Sequence, residues 1–436
     1  MIVHCNDLPS ELLVEIFLRY SEDTVELAQP TPNNGPLLLV QVCPLWRRVG
    51  LATSQLWNSF SVVTSSDATC LRPDLELVQL WLTRSGVQPL SLGIHNSEDG
   101  IDPTPTLRLS SVHSRRWKVV NLLTRRPPSW AEIGVCDAPL LERLLVSWRG
   151  SGAEQDIPIT STARLSKLVW QVDRPAPTFN INWSQLTELC LFGFLADVLH
   201  VLASCPLLET CDLSIDLSDD APGLPPVADP PIVLAHLTTL TLDSMRYTAA
   251  VAFVFDCIAA PKLLELRAGL YFDFGWPHAA FAGFITRSGC AVKTLGLLAI
   301  WMEEDELVEA LRLLGALETL EIVNLNLTAS EDHVFVADRH LALLTPRADA
   351  AETLCPRLTH IVLDRCFAAA DGALADMMES RWRAPPEGAI AWLRRVEVVF
   401  PDDMVGHDTD RTRAQAVDRG LGHLIQSPVP KVRGQR

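Results

Sequence analysis

Few residues in this chain have the types and spacing that do chemistry. The stretch HDTD at 407–410 sets one imidazole beside two carboxylates, a donor set that holds a divalent metal when a fold fixes its geometry. Here the donors lie in a polar run with no helical or strand period, so a solvated loop is expected. Cys205 and Cys211 stand on either side of a proline and a leucine pair. Neither has a Cys-x-x-Cys partner or a cationic setting to lower its pKa, so both are expected to be small buried apolar groups. The eleven histidines are scattered. There is no Gly-x-Gly-x-x-Gly, no phosphate-cradling Gly-Lys-Ser/Thr loop and no Gly-x-Ser-x-Gly elbow. No catalytic residue, cofactor or metal site is therefore expected, and the protein is not expected to be an enzyme by itself. What remains is surface chemistry: a strip of large apolar side chains near the amino end, and hydroxyl and charged residues at strand-like intervals further on.

Holding such surfaces in place needs a large fold, and the composition permits one. With 48% hydrophobic and 20% charged residues in 436, a mostly disordered chain is excluded. The formal charge of −17, from 36 Lys+Arg against 53 Asp+Glu, repels phosphate backbones and anionic lipid. Nucleic acid and membrane are thus not expected as partners; ordinary solubility and a basic partner surface both fit the charge. Eleven cysteines, an odd number without a Cys-x-x-Cys pair, and a start at Met1–Asp7 that leads straight into a helix signal point to a reducing compartment, cytoplasmic and/or nuclear. The most apolar long stretch, YTAAVAFVFDCIAAP, is broken by Asp256 and Pro261. It falls short of the ~20 residues of a membrane span and reads as a buried helix.

The amino-terminal strip lies in NDLPSELLVEIFLRY, residues 6–20. Pro9 suits a first helical turn, and Ser10 and Glu11 add polar groups compatible with the helix dipole there. Leu12, Leu13, Ile16 and Phe17 then fall on one helical face. The polar run SEDTVELAQPTPNNGP must be a loop. Next comes LLLVQVCPLWRRVGLATSQLWNSF, which Pro44 splits into two short helical pieces anchored by Trp46, Val49, Leu56 and Trp57. A three-helix unit of this size seldom stabilises itself, so part of the strip must face another chain or the rest of this one.

This segment resembles an F-box. Leu8, Pro9, Glu11, Leu12, Leu13, Ile16, Phe17, Val42, Cys43, Trp46, Ala52, Leu56 and Trp57 match that family's pattern in order; the loop at 21–36 is longer than usual. The resemblance implies docking on the Skp-type adaptor of a Skp–cullin–F-box ubiquitin ligase, and through it on a cullin. The docking residues carried over are Leu8, Pro9, Leu12, Leu13, Ile16, Phe17, Val42, Cys43, Trp46, Leu56 and Trp57. Apolar helix faces laid on a helical partner, with Trp and large aliphatic anchors, suit that role. The other reading is that the strip packs on the chain's own next domain.

The rest of the chain is a ladder of Leu-x-x-Leu-x-Leu motifs. They start at Leu141, Leu165, Leu186, Leu208, Leu237, Leu263, Val292, Leu317, Leu358 and Leu393, with steps of 24, 21, 22, 29, 26, 29, 25, 41 and 35 residues. WKVVNL at Trp117 extends the series back by 24. Most steps match the 20–29 residues of leucine-rich repeats. Pro139, Pro206, Pro261 and Pro356 each stand two residues before a first leucine, one device recurring four times. Between the strands, ADVLHVLAS, HAAFAGFITRSG and EDELVEALRLLGA carry helical patterns. The predicted fold is α/β: a small N-terminal three-helix unit at 1–60, a connecting helix/strand segment at 61–116, an irregular leucine-rich-repeat solenoid at 117–403 with parallel strands concave and helices convex, and a polar tail at 404–436. An unrelated sheet of β–α units is the alternative. LELVQLWLTRSGVQPLSLGI in the connecting segment and DGALADMMESRW at 371–382 make the order similar to the large F-box/leucine-rich families of mushroom-forming fungi.

In such a ladder the residues between the inward leucines point outward. They include Lys167, Gln171, Glu188, Phe192, Thr210, Asp212, Thr239, Thr241, Asp243, Glu265, Arg267, Thr319, Glu321, His360, Asp364, Arg395 and Glu397. The candidate target-binding set is Glu188, Phe192, Asp212, Thr239, Thr241, Asp243, Arg267, Glu321, His360 and Asp364. Repeat arrays hold extended partners on such surfaces, and a merely solvated face has the same sequence. The long steps, and the loop LSDDAPGLPPVADPP at 217–231, read either as recognition loops or as decoration. The function expected is substrate recognition within a ubiquitin ligase; the alternative is a non-degradative leucine-rich scaffold whose first helices cap the solenoid.

Overall fold

In the computed structural model the described residues are 8–22, 27, 29–65, 67, 69–148, 157–172, 181–217, 224, 227, 229–244, 246–271, 275–324, 336–346, 353–366, 369–370, 372–383 and 390–399. They form an α/β structure with long, mostly parallel sheet and twelve α-helices among the described residues, organised as two compact units, 1–193 and 194–436. No helix among the described residues is long and apolar enough to cross a membrane. The HDTD stretch, the 404–436 tail and most of the 217–231 loop lie outside the described residues.

The first unit begins with three helices, α1 (Ser10–Glu22), α2 (Gly35–Val42) and α3 (Pro44–Ala52). After a 3-10 turn at Ser54–Trp57 come β1 (Ser59–Thr64), β2 (Leu71–Arg72), α4 (Leu75–Arg84), β3 (Leu90–Asn96), α5 (Thr104–Ser111), β4 (Trp117–Thr124) and α6 (Trp130–Ile133). Then follow β5 (Cys136–Asp137), β6 (Arg143–Trp148), β7 (Ile159–Thr160), β8 (Lys167–Val172) and β9 (Glu188–Phe194). The sheet order is β2-β1-β3-β4-β6-β8-β9. Only β1 with β2 is antiparallel; β5 and β7 make a separate short parallel pair. Strand β1 was not evident from the sequence. SFSVVT follows a tryptophan-rich helical run; Phe60, Ser61 and Val62 are buried in succession, so no inward–outward alternation marks it, and only its Val pair favours a strand.

The second unit contains α7 (Leu195–Ala203), β10 (Thr210–Asp216), β11 (Ile232–Val233), β12 (Thr239–Ser244), α8 (Thr248–Cys257), β13 (Ile258–Ala259), β14 (Glu265–Leu270) and α9 (His278–Ser288). It continues with β15 (Thr294–Leu298), α10 (Glu304–Leu313), β16 (Thr319–Val323), α11 (Asp338–Leu344), β17 (His360–Asp364), α12 (Ala373–Arg383) and β18 (Arg395–Val399). Its sheet runs β10-β12-β14-β15-β16-β17-β18, all parallel. A short parallel pair, β11 with β13, lies apart. Helix α8 is the apolar stretch at 248–257, with six of its ten residues buried.

The same device begins most of the sheet strands. The first leucines Leu141, Leu165, Leu186, Leu208, Leu237, Leu263, Leu317 and Leu358 are all fully buried, at 0% exposure. Each precedes a strand whose residues alternate inward and outward, as the period of 2 requires. A tight turn delivers the leucine. The amide of Leu141 donates to Ala138 O at 3.1 Å, Leu208 to Cys205 O at 3.3 Å, Leu263 to Ala260 O at 3.2 Å and Leu358 to Cys355 O at 3.0 Å. Pro139, Pro206, Pro261 and Pro356 occupy the second position of these turns, where a fixed φ near −65° is already correct. A buried arginine secures the carboxyl-terminal part of the second unit: the Arg381 guanidinium donates to the carbonyls of Leu344 at 2.9 Å, Leu354 at 3.0 Å and Cys355 at 3.2 Å. Burial pulls its pKa down to about 10, still charged at neutral pH.

Candidate functional site

The amino-terminal helices are fixed by local chemistry before they pack. Asn34 caps α2 by accepting from Gly35 N at 2.7 Å, and Cys43 caps α3 through a 3.4 Å contact from Trp46 N to its Sγ. Pro36 and Pro44 sit in first turns, where their missing N–H groups cost nothing. Gly50 lets α3 approach α2 closely, because a Cβ there would lie 3.0 Å from Val40 Cγ1. Phe17 and Trp46 pack with ring centroids 4.9 Å apart. The Trp57 indole donates to Gly50 O at 2.9 Å and meets Trp81 of α4 edge-on at 4.6 Å.

This packing divides the apolar strip. Leu13 and Phe17 are at 0% exposure, Leu56 at 4% and Trp57 at 1%, so these four hold the helices together. Leu12, Ile16 and Val42 are 52%, 46% and 52% exposed. Pro9 is also exposed, while Leu8, Cys43 and Trp46 are half-buried. The loop after α1 reaches the sheet. Leu27 Cδ1 lies 3.3 Å from where a Gly93 Cβ would stand on β3, and Gln29 Nε2 donates to Arg72 O at 3.4 Å.

The second surface is the sheet face turned away from the buried leucines. In the second unit the register brings the predicted outward residues into rows across the strands. One row runs Thr210, Thr239, Glu265, Thr294, Thr319, His360, Arg395, and the next Asp212, Thr241, Arg267, Gly296, Glu321, Val362, Glu397. A third carries Ser214, Asp243, Gly269 and, farther along, Asp364. Arg267 Nε pairs with Glu265 at 2.7 Å, and the same guanidinium crosses Gly296 to hydrogen-bond Glu321 two strands away. Gly296 makes this span possible: a Cβ there would lie 3.0 Å from Arg267 Cγ. Gly269 gives Asp243 the same clearance, with only 2.3 Å between a Cβ and Oδ1. Burial, with Asp212 on the neighbouring strand, pushes the Asp243 pKa up to about 6; Tyr271 rises to about 12 by burial and the same two carboxylates. Asp364 is paired with Arg365 at 2.9 Å, and His360 Nδ1 lies 2.8 Å from Thr359 Oγ1.

In the first unit, Glu188 pairs with Lys167 at 2.6 Å and Phe192 is half-buried at the end of β9. Cys205 and Cys211 lie in the core at 0% exposure, and burial lifts the Cys205 thiol to about 12. The sequence reasoning did not single out Gly269 and Gly296. A glycine at an outward position of a strand is the signal that would have marked them, because it makes room for a neighbouring side chain. No protein-family model matches the chain, and no curated protein is significantly similar to it.

Proposed function

We propose that the chain is a substrate-recognition subunit of a Skp–cullin–F-box type ubiquitin ligase, working in the cytoplasm and/or nucleus. In this reading α1–α3 are an F-box, the later strands form a leucine-rich-repeat array, and its open face holds a target protein. The observation that carries it is the division of the strip. Leu13 and Phe17 are fully buried while Leu12 and Ile16, their neighbours on α1, stay about half exposed, and so does Val42 on α2. Large aliphatic groups left out of a core on packed helices are what a partner helix surface would cover. The recurring turn, buried leucine and short strand support the repeat reading. The protein's part in ubiquitin transfer is positional: tethering raises the local concentration of target lysines without a catalytic side chain of its own.

The test is co-purification of the full-length chain with its Skp-type adaptor. Leu12→Asp combined with Ile16→Asp should abolish adaptor recovery while leaving the circular dichroism spectrum intact, because both side chains already face water. Unchanged recovery overturns the docking reading. A non-degradative scaffold, with the helices acting only as a cap, is favoured by one contact: Trp57 is 1% exposed and packs on Trp81, so the amino-terminal segment does cover elements that follow it within the first unit. A chain that never binds adaptor, even unmutated, belongs to that second class.

A further inference from the structure

The open face of the second unit is unevenly neutralised. The chain carries 53 Asp+Glu against 36 Lys+Arg, and most of that excess falls after residue 193. On the face itself the arginines are already engaged. Arg267 is bracketed by Glu265, at 2.7 Å, and by Glu321, with its stem crossing Gly296. Arg395 pairs with Glu397, and Arg365 answers Asp364 at 2.9 Å. Asp243 is different. No cation among the described residues meets it. Its charged or titratable neighbours are Asp212 on β10 and Tyr271 just past β14. Gly269 makes room for the arrangement: a Cβ there would strike Asp243 Oδ1 and lie 3.3 Å from Tyr271 Cε2. Two carboxylates held near each other, one of them largely out of water, are costly, and a bound cation relieves that cost.

We propose that this face binds an arginine-bearing polypeptide, the guanidinium held by Asp243 and Asp212 against the Tyr271 ring. The proposal rests on the reading of the open face as a polypeptide-binding surface, and names the chemistry of what it binds. The face shows the same device in its own Arg267: one guanidinium held by carboxylates from β14 and β16, over a position without a side chain. Arginine suits Asp243 as well. Its planar fork of donors serves two carboxylates at once, and its flat face stacks on a tyrosine ring. A metal ion fits poorly, because no group of three or more His, Cys, Asp or Glu among the described residues is placed to hold one. A polypeptide fits the surroundings. Thr210, Thr239 and Thr241 lie beside the two aspartates on β10 and β12, and their hydroxyls can donate to or accept from peptide groups. Parallel rows of this kind suit an extended partner.

The experiment uses the full-length chain and the fluorescence anisotropy of a labelled peptide, Gly-Arg-Gly-Arg-Gly-Arg-Gly, with citrulline and lysine counterparts. Citrulline keeps arginine's shape without its charge. The arginine probe should bind tightest and the citrulline probe weakest, about tenfold or more apart, the size of one charge-assisted hydrogen bond. Asp243→Asn keeps the side chain's shape and should weaken the arginine probe by about the same factor. Asp256→Asn removes an equal charge from an exposed position on α8 and should leave binding at wild-type level. The pH dependence gives a second readout. Burial and Asp212 push the Asp243 carboxyl up to about 6, while Tyr271 stands at about 12. Arginine favours the ionised carboxylate, so affinity should climb between about pH 5 and about pH 7.5, and climb less in Asp243→Asn. Equal binding of the arginine and citrulline probes overturns the site. So does equal weakening by Asp243→Asn and Asp256→Asn, because net charge alone would then attract the peptide. Lysine bound as tightly as arginine overturns the guanidinium assignment. Adaptor recovery on Asp243→Asn should match the unmutated chain; an unmutated chain that selects the arginine probe but recovers no adaptor counts against the ligase reading and leaves the probe result standing.

Discussion

The two units build their sheets the same way and finish them differently. Both bury a first leucine under a tight turn and alternate inward and outward residues along each parallel strand. On the open face of the first unit, one row sets Arg143, Lys167 and Glu188 beside Val119, and the rows above it carry Leu145, Val169, Cys190 and Phe192 with Asn121, Ser147 and Gln171. The corresponding face of the second unit carries Thr239, Thr241, Asp212, Asp243, Arg267, Glu321 and Asp364. The inward positions hold the same kind of residue in both, because close packing tolerates little else. The outward positions answer to no such constraint, so a face charged along one row and a face charged along three stand on equivalent cores. The contrast assigns stability to the inward positions and leaves the outward ones free to differ.

The largest effects should therefore be blind to the difference between the units. Leu168→Ala in the first and Leu266→Ala in the second each delete a side chain at 0% exposure. Each should cost about 2–5 kcal/mol in urea unfolding of the full chain, from lost burial plus the cavity left behind. Thr241→Ala on the open face should stay within about 0.5 kcal/mol of wild type. A core substitution as mild as the open-face one, in either unit, breaks the comparison.

Asp243 should give the next largest effect, with the opposite sign. Its carboxyl titrates at about 6 in the folded chain against an ordinary value of 3.8. The native state thus holds a proton that the unfolded state has released, and stability falls as pH rises from about 4 through 6. That difference in proton affinity corresponds to about 3 kcal/mol, an upper bound for a group with some access to water. Asp243→Asn should stabilise the protein at pH 7 by about 1–3 kcal/mol, and the gain should vanish below about pH 4. Urea titrations of both proteins at the two pH values measure it. A destabilised variant at pH 7 would mean that the ionised carboxylate is held by favourable contacts instead of carrying a burial penalty. A group that costs the fold this much, on an open face, is a candidate for ligand contact.

The sequence shows these two sets of positions unequally. Leucine spacing locates the strands because each start must be buried and each strand has a fixed period. The apolar run at 248–257 is legible as a buried helix because its apolar residues cover all sides. Leu12 and Leu13 show where legibility ends. Both belong to one apolar stripe, yet Leu13 is at 0% exposure and Leu12 at 52%, because the stripe is wider than the surface that α3 covers. Periodicity gives a stripe's direction but not which edge the chain itself will use. The open-face glycines are harder still. GLL in β15 and GL in β14 read as weak strand positions, and only the register between strands shows which side chain each glycine admits.

That register supplies the smallest effect and the finest test of the contrast. Arg267 reaches Glu321 because nothing projects from Gly296 between them. In Gly296→Ala the new methyl would lie 3.0 Å from Arg267 Cγ and 3.2 Å from Nη1, so the arginine stem must move aside. The backbone of Gly296 lies in a regular parallel strand, and alanine adds no strain of its own there; it also lowers the entropy of the unfolded chain, a gain of about 0.4–1 kcal/mol at compatible sites. Against this stands loss of an ion pair whose partners are 41% and 26% exposed, which at such exposure contributes about 1 kcal/mol or less. The two terms nearly cancel in total stability. Coupling between the charges separates them: the Arg267→Ala, Glu321→Ala double-mutant cycle should show about 0.5–1 kcal/mol in the parent and almost none on the Gly296→Ala background. Equal coupling on both backgrounds would mean that the arginine reaches its partner by another path, and that the glycine's place on the charged face has nothing to do with the charges.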